Sequence, residues 1–438
     1  MSDIHISREL LRAVARGDLP PQTLVEYGYK HLMGLCGICR EEFAAFQREC
    51  ALKADVGSTF QALSTLLERH EKDFREARKD IHRDLRELLG LPHEKRLARI
   101  GRSVNRFRGP LLASSLLDES RRFMPGDFDR AQELAEAAEA VLRRTPAGVG
   151  VADVSARAAA YLANMSRVRG DLHEAQRRFQ YAHYLIKFEG VTDPQIFAEV
   201  DWFEGALLLD QRRFSEAEEL LTRSITLFTI AGSRAETPRP LLTLSLVYYG
   251  RGNFAKAIEA VQEAANLIAE DQDPRFYLSA RHNLALYHCE AGNYHAASEA
   301  LQQDRDLYAR FPDAWTQLRL VWLEGKIAHG LGNLETAEEA FLATRAGFLE
   351  EGDGYDAAMV SIDLATLYTQ QGRADEALRI AEEMHVVFKA EDVHREAVAA
   401  LLLFQEAARQ KSLTVEKLRD LSEYLKAARG NPSLRFRK

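Results

Sequence analysis

A short pattern of small, polar and apolar positions recurs along most of the chain. Each copy is a glycine turn followed by Asp or Asn, then an aromatic residue or leucine, then an alanine three residues later. The copies are Gly126-Asp127-Phe128 with Ala131, Gly170-Asp171-Leu172 with Ala175, Gly252-Asn253-Phe254 with Ala257, Gly292-Asn293-Tyr294 with Ala297, Gly332-Asn333-Leu334 with Ala337, Gly372-Arg373-Ala374 with Ala377, and Arg212-Arg213-Phe214 with Ala217, which has lost the glycine. From 212 onward the turns recur every 40 residues, which predicts a repeat array.

Each part of the pattern has a structural role in a helical hairpin. Glycine accepts the positive φ that ends a first helix, and Asp or Asn caps the start of a second one. The small alanine allows the two helices to approach closely. We therefore expect every copy to be a pair of antiparallel helices joined by a tight turn.

A second packing position follows that alanine by four residues. Its occupants are Phe179, Leu221, Val261, Leu301 and Phe341, and a small residue often follows three positions later, as at Ala182, Ser224 and Ala264. With its fixed offsets of small and bulky residues, the segment from about 115 to 390 resembles the tetratricopeptide repeat (TPR). The period is longer than the ~34 residues of the usual repeat, so we expect longer helices or loops.

The predicted fold class is all-α: a right-handed α-solenoid of about seven TPR-like hairpins with a small helical N-terminal module. One hairpin cannot bury its apolar face alone, so neighbours must stack and form a groove lined by the first helices. We assign residues 1–55 to the N-terminal module, 56–110 to an amphipathic helix and basic connector, 111–390 to the repeats, and 391–438 to C-terminal capping helices.

Residues of the first helices that project into this groove are candidates for contact with a partner. They are Asn164, Arg167, Arg281, His282, Asn283, Arg319, Trp322 and Lys326. Amide and cationic side chains suit acidic or backbone groups of an extended peptide, and Trp322 would be an apolar anchor. Some of these residues are expected to cap neighbouring helices instead.

The N-terminal module gathers three of the four cysteines of the chain. His31 precedes the Cys36-x-x-Cys39 pair, and His5 lies further upstream. Thiolates and imidazole at such spacing suit tetrahedral Zn²⁺, so His5, His31, Cys36 and Cys39 are the predicted ligands, with Cys50 as a competing fourth ligand. Alternatively, the cysteines are reduced packing residues and the module folds without metal.

The same fragment, with the helix SRELLRAVARGD between the histidines, resembles the zinc-binding anti-sigma domain of bacteria. That family has an upstream His or Cys about 25 residues before a His-x3-Cys-x2-Cys motif. Here four residues, and not three, lie between His31 and Cys36, so His31 departs from the family pattern. The resemblance implies a zinc-fixed helical module that binds a sigma factor.

The connector between module and repeats is amphipathic and then basic. An apolar stripe at helical spacing runs from Phe60 to Leu88, and Gly90-Leu91-Pro92 ends it. The stripe indicates a helix that docks on the first repeats or awaits a partner. The following arginines, between Arg96 and Arg108, suit nucleic acid, a solvated helix face or salt bridges.

Charge and missing motifs narrow the functional classes. The net charge of −8 argues against general nucleic-acid binding. The sequence has no signal peptide and no apolar span long enough for a membrane, so we expect a cytoplasmic protein. Phosphate-binding glycine loops, His-Glu-x-x-His and nucleophile-elbow motifs are all missing from the sequence, so no enzyme activity is expected.

These observations favour a bacterial protein-binding regulator in which the anti-sigma-like module controls transcription and the repeats sense a second ligand. The partner would be a sigma factor or an extended peptide. The alternative is a TPR scaffold or peptide-sensing adaptor whose N-terminal module is only structural.

Overall fold

The computed structural model describes residues 80–124, 126–148, 150–191, 193–390, 404–405, 407–409 and 412–430. Helix α1 (His93–Arg102) precedes seven helical hairpins, and α17 (Val415–Gly430) follows them. The hairpins are α2 (Pro110–Phe123) with α3 (Phe128–Arg143), α4 (Val151–Val168) with α5 (Leu172–Phe188), α6 (Pro194–Asp210) with α7 (Phe214–Ile230), α8 (Pro238–Gly250) with α9 (Phe254–Leu267), α10 (Pro274–Glu290) with α11 (Tyr294–Gln303) and α12 (Arg305–Ala309), α13 (Ala314–Gly330) with α14 (Leu334–Glu350), and α15 (Gly354–Gln370) with α16 (Ala374–Ala390).

The predicted fold class is confirmed: between residues 110 and 390 the chain is an array of seven TPR-like hairpins. Internal contacts divide it into two compact units. The first unit contains the described residues up to 165, together with 174–203 and 223–234. The second unit contains residues 166–173 and 204–222, and the described residues from 235 onward. No β-strand occurs in the part of the chain that the structure describes.

The repeated turns have the geometry that the glycines predict. Gly170, Gly252, Gly292, Gly332 and Gly372 all have a positive φ, whereas Gly126 does not. In the turn at 252, the Asn253 N–H donates to the Tyr248 carbonyl at 2.9 Å, which is the long bond of the Schellman motif. Asp127 and Asn253 also cap their second helices, as predicted, by accepting from the backbone N–H groups of Arg130 and Lys256.

The packing positions of the repeat are buried as the sequence predicts. The alanines that open each second helix, from Ala131 to Ala377, are at most 3% exposed. On the first helices, an ideal Cβ on Gly205 would lie 2.8 Å from Leu221, and one on Gly325 would lie 2.9 Å from Phe341. Small residues therefore recur at the 40-residue period on the first helices as well, because the second helix needs that space.

Arg212 shows what happens where the turn has lost its glycine. It keeps the left-handed conformation with φ 57°, and the Arg213 N–H donates to the Leu208 carbonyl at 2.8 Å. A non-glycine residue in this region costs roughly 1–2 kcal/mol.

We expect Arg212→Gly to raise the free energy of unfolding by up to about 1 kcal/mol, because part of the relieved strain is offset by the greater chain entropy of glycine. The midpoint of urea unfolding measures the change. Gly252→Ala, at the equivalent turn, is the control and should lower the midpoint. An Arg212→Gly chain no more stable than the parent would contradict this account.

The basic connector is held by internal bonds. Arg96 is buried and donates to the carbonyls of Leu88 (2.9 Å) and Leu91 (2.8 Å). Arg106 donates to both Asp84 and Glu87 at 2.6 Å. These bonds close the chain around the Gly90 turn, which favours the salt-bridge interpretation of this segment over nucleic-acid contact.

The predicted zinc ligands His5, His31, Cys36 and Cys39, the alternative ligand Cys50, and most of the amphipathic stripe lie outside the described residues. Among the residues that are described, no three His, Cys, Asp or Glu side chains converge on a position for a metal ion. Of the helices in those same ranges, none has the length and apolar character that a bilayer crossing requires.

Candidate functional site

Polar and aromatic side chains lie close together along the first helices of the second unit. We call it the first-helix face and define it by Tyr249 on α8, Glu290 on α10, Trp322 and Lys326 on α13, and Asp363 on α15. Residues 40 positions apart occupy equivalent places on successive first helices. The face therefore crosses four consecutive hairpins.

A chain of charges joins the last three of these helices. The Lys326 ammonium lies 2.9 Å from Glu290 Oε1 and 3.6 Å from Asp363 Oδ2. The Trp322 indole N–H donates to the same Asp363 oxygen at 2.7 Å. Each of the three charged side chains keeps about a fifth to a quarter of its surface exposed. The network is thus fixed in position and partly exposed.

The surroundings keep Glu290 and Lys326 charged. Burial alone would raise the pKa of Glu290, but Lys326 and Lys426 lower it to about 2. Burial alone would lower the pKa of Lys326, but Asp363 and Glu290 hold it well above its usual value. Both groups are therefore ionised at neutral pH and bind each other as an ion pair.

Tyr249 forms the aromatic end of the face. Its ring stacks on Tyr287 with centroids 5.2 Å apart and lies 5.9 Å from Phe254. The Tyr287 hydroxyl lies 3.2 Å from Ser245 Oγ. Burial raises the pKa of the Tyr249 phenol, and Glu290 adds to the effect. The hydroxyl is therefore neutral and able to accept or donate a hydrogen bond.

The structure brings together two of the residues predicted to line the groove, Trp322 and Lys326. Arg319 lies one turn before Trp322, with its guanidinium over the Trp315 ring at 4.7 Å. Asn283 is half-buried on α10, two repeat periods before Asp363 and therefore at the equivalent place.

Arg281 and His282 contact the second helix of their own hairpin. That helix is interrupted at Asp304 and restarts as α12, which places Asp304 2.8 Å from Arg281 and the Tyr308 hydroxyl 2.7 Å from His282 Nδ1. Burial, with the Arg319 charge nearby, holds the pKa of His282 well below its usual value. His282 is therefore a neutral, hydrogen-bonded interior side chain.

The remaining two predicted residues lie on α4. Asn164 is buried, with its amide 3.9 Å from the Met124 sulfur. Arg167 forms an ion pair with Asp210 at 2.7 Å. Like Lys326 and Glu290, Arg167 and Asp210 lie on consecutive first helices, so such pairs link neighbouring hairpins.

The first unit has a more deeply buried charge cluster of the same kind. Arg157 on α4 donates to Glu199 on α6 at 2.7 Å and lies 2.9 Å from Asp118 on α2. It also donates to the Tyr161 hydroxyl at 3.3 Å. Glu199 is 1% exposed. The cluster links three consecutive first helices, and its Arg157–Glu199 pair leaves little surface for a ligand, whereas Asp118 is exposed.

Three residues of the first-helix face, Tyr249, Glu290 and Asp363, were not among the sequence candidates, and neither was Lys426, which lowers the pKa of Glu290. The 40-residue register could have identified Asp363, because it is equivalent to the candidate Asn283. Lys426 has no such signal, because α17 lies outside the repeats.

Comparison with known proteins relates the chain to others through its fold. Neither a family model nor a curated protein sequence matches it. A solved Rap protein complexed with Competence and Sporulation Factor is similar, with a TM-score of 0.59, 14% identity, and coverage of 73% of this chain and 89% of that one. The apo form of RapI gives a TM-score of 0.53, 12% identity and coverage of 71% and 85%. NprR in complex with its cognate peptide NprX gives a TM-score of 0.47 and 15% identity, with coverage of 67% of this chain and 83% of that one. At such identities the likeness concerns the fold.

Proposed function

We propose that this chain is a non-catalytic regulator that binds an extended peptide or protein segment on the first-helix face. The observation that carries the proposal is the partly exposed network in which Trp322 and Lys326 are paired with Asp363 and Glu290. The similar Rap structure, which was solved with a bound factor, supports the assignment of binding to this fold.

The chemistry of the face suits a peptide better than a small polar metabolite. The carboxylates of Glu290 and Asp363 accept from backbone or side-chain N–H groups, and Lys326 donates to carbonyls. Trp322 and Tyr249 supply aromatic surface of the kind that dominates binding energy at interfaces. Because ion pairs already hold these side chains, binding costs little further ordering.

Leu246 offers a direct test of the face. It is 38% exposed on α8 and lies two repeat periods before Lys326, at the equivalent place. We expect Leu246→Asp to weaken the binding of peptides selected from a displayed random library by roughly tenfold or more, because it places a carboxylate against apolar ligand surface. Fluorescence polarisation with labelled selected peptides measures the affinities.

Leu342→Asp is the matched control, since Leu342 is 43% exposed on the second helix α14. It should leave the affinity unchanged, and circular dichroism should be the same for both variants. A library that yields no binding peptide, or peptides that bind the Leu246→Asp chain as tightly as the parent, would refute the proposed function.

The N-terminal sequence supports a second, finer proposal. We propose that His5, His31, Cys36 and Cys39 bind Zn²⁺ and that the resulting module binds a sigma factor, as the anti-sigma resemblance implies. The peptide-binding face would then sense a ligand for that module. The Cys36-x-x-Cys39 pair with His5 and His31 upstream of it is the observation that favours this proposal.

Elemental analysis tests the zinc site. We expect about one Zn²⁺ ion per chain, lost on Cys36→Ser or Cys39→Ser because each substitution removes one of the four ligands of a closed tetrahedral site. Cys289→Ser is the control, since Cys289 is a buried residue of α10 in the second unit. The same Cys36 and Cys39 variants should lose capture of a purified sigma factor. A chain that remains free of zinc after resupply would eliminate the site.

A further inference from the structure

The C-terminal helix α17 packs on a first helix, α15, of the last hairpin. Leu418, Leu421 and Leu425 lie at helical spacing and are at most 2% exposed. They belong to the same buried cluster as Ile362 of α15, and Trp322 packs against that cluster. The apolar side of α17 therefore belongs to the core cluster against which Trp322 of the first-helix face packs.

The far end of α17 reaches the opposite end of the face. The Lys426 ammonium donates to the Tyr249 hydroxyl at 3.1 Å, across 177 positions of sequence, and lies 5.4 Å from the centre of that ring. Tyr249 belongs to α8, three hairpins before α15. A helix of 16 residues thus extends along the face from the seventh hairpin to the fourth.

Charge balance explains why a cation is held at Tyr249. Glu290 and Asp363 contribute two carboxylates, and both pair with a single cation of the described first helices, Lys326. Lys426 lowers the pKa of Glu290 together with Lys326, so its charge is felt across the face. The Lys426 side chain remains 31% exposed and also lies 3.4 Å from Glu423 of its own helix. The ammonium therefore binds at the edge of the face, where it also reaches the solvent and where an incoming cation can compete for Tyr249.

We propose that α17 is an internal occupant of the first-helix face, which docks there reversibly and competes with an incoming peptide. The inference rests on the proposed function, because it assigns a regulator to the same site. A ligand must displace the end of α17 and bring a cation of its own to Tyr249. While α17 remains tethered, its local concentration is on the order of millimolar, so weak docking is enough to keep the face closed.

A cleavable tether tests the inference in the full chain. A protease recognition sequence placed in the connector Ser412–Thr414 allows α17 to be separated from its covalent link after folding. A fluorescent synthetic peptide of residues 412–430 is then added to the cut and uncut chains. We expect the peptide to bind the cut chain after dilution releases the resident helix, and not to bind the uncut chain.

Substitutions in the labelled peptide identify the contact. Lys426→Ala should weaken its binding to the cut chain by roughly tenfold, because a charge-assisted hydrogen bond is lost. Arg419→Ala is the matched control, since Arg419 is an exposed cation of the same helix, and it should have no effect. An equal loss of affinity with the two substitutions, or no loss with Lys426→Ala, would overturn this docking site.

Two further outcomes separate a regulator from a structural helix. If the cut chain loses its helical circular dichroism when α17 leaves and binds no labelled peptide, α17 is part of the fold and the inference is wrong. On the uncut chain, Lys426→Ala should tighten the binding of library-selected peptides several-fold, and unchanged affinity would also overturn the inference. If the labelled peptide binds the cut chain as expected but the library yields no binding peptide, only the proposed function is refuted.

Discussion

Replacing Arg157 with methionine is expected to lower the free energy of unfolding of the first unit by about 3–5 kcal/mol. The guanidinium is the only cation that the structure describes within 3 Å of the Glu199 carboxylate, which is 1% exposed. Removing it leaves the buried carboxylate with only the longer 3.9 Å ion pair to Arg121. Methionine fills most of the volume, so the loss reports the charge and not a cavity.

Two further variants distinguish this cause from general damage to the core. Arg157→Met combined with Glu199→Met should recover much of the loss, because replacing both members of a buried pair by apolar residues is often near neutral. Arg143→Met is the control, since Arg143 is 71% exposed and its ion pair with Glu139 should contribute less than about 1 kcal/mol. Chemical denaturation measures all four chains. A double variant no more stable than Arg157→Met would contradict the mechanism.

The fold could be predicted from the sequence because the repeat constrains it many times over. Each hairpin needs a left-handed residue at its turn, a small residue where helices approach, and a bulky residue opposite. Gly252, Ala257 and Val261 meet these needs in one hairpin, and the same offsets recur in the others. Even Arg212 adopts the required backbone, because the contacts on either side of the turn determine it.

The candidate face could be predicted only in part, because repeat register locates a position without fixing what its side chain does. Trp322 and Lys326 were identified from their place on a first helix, and the structure brings them together. His282 occupies the equivalent place to Trp322 one period earlier, yet it is turned to Tyr308 by the interruption of its second helix at Asp304. Such an interruption leaves no mark in the spacing of apolar residues.

No local sequence pattern could have predicted the contact between Lys426 and Tyr249. It joins residues 177 positions apart and depends on where α17 docks. That docking depends on the accumulated geometry of four hairpins, of which the sequence gives only the period. Long-range contacts of this kind need coordinates.

Replacing Lys326 with methionine is expected to destabilise the second unit by an amount that depends on pH, up to roughly 3 kcal/mol at pH 7. The pKa of Glu290 falls from its usual value of 4.5 to about 2 in the folded chain. A lowered carboxyl pKa stabilises the fold above about pH 4.5, and this stabilisation is lost as the pH falls through 2. Lys326 and Lys426 cause the shift, so removing Lys326 leaves burial to raise the pKa of Glu290 again.

The sign of the pH dependence is what separates this mechanism from lost packing. In the Lys326→Met chain, Glu290 binds a proton more readily when folded, so the difference in unfolding free energy from the parent should shrink between pH 7 and pH 4. Lys256→Met is the control: Lys256 is 53% exposed and lies 3.9 Å from Glu218, so its loss should have a small effect. Urea unfolding at both pH values gives the four differences. A Lys326→Met penalty that is the same at pH 7 and pH 4 would mean that the ion pair with Glu290 does not stabilise the face, and that the methylene stem of Lys326 contributes through packing alone.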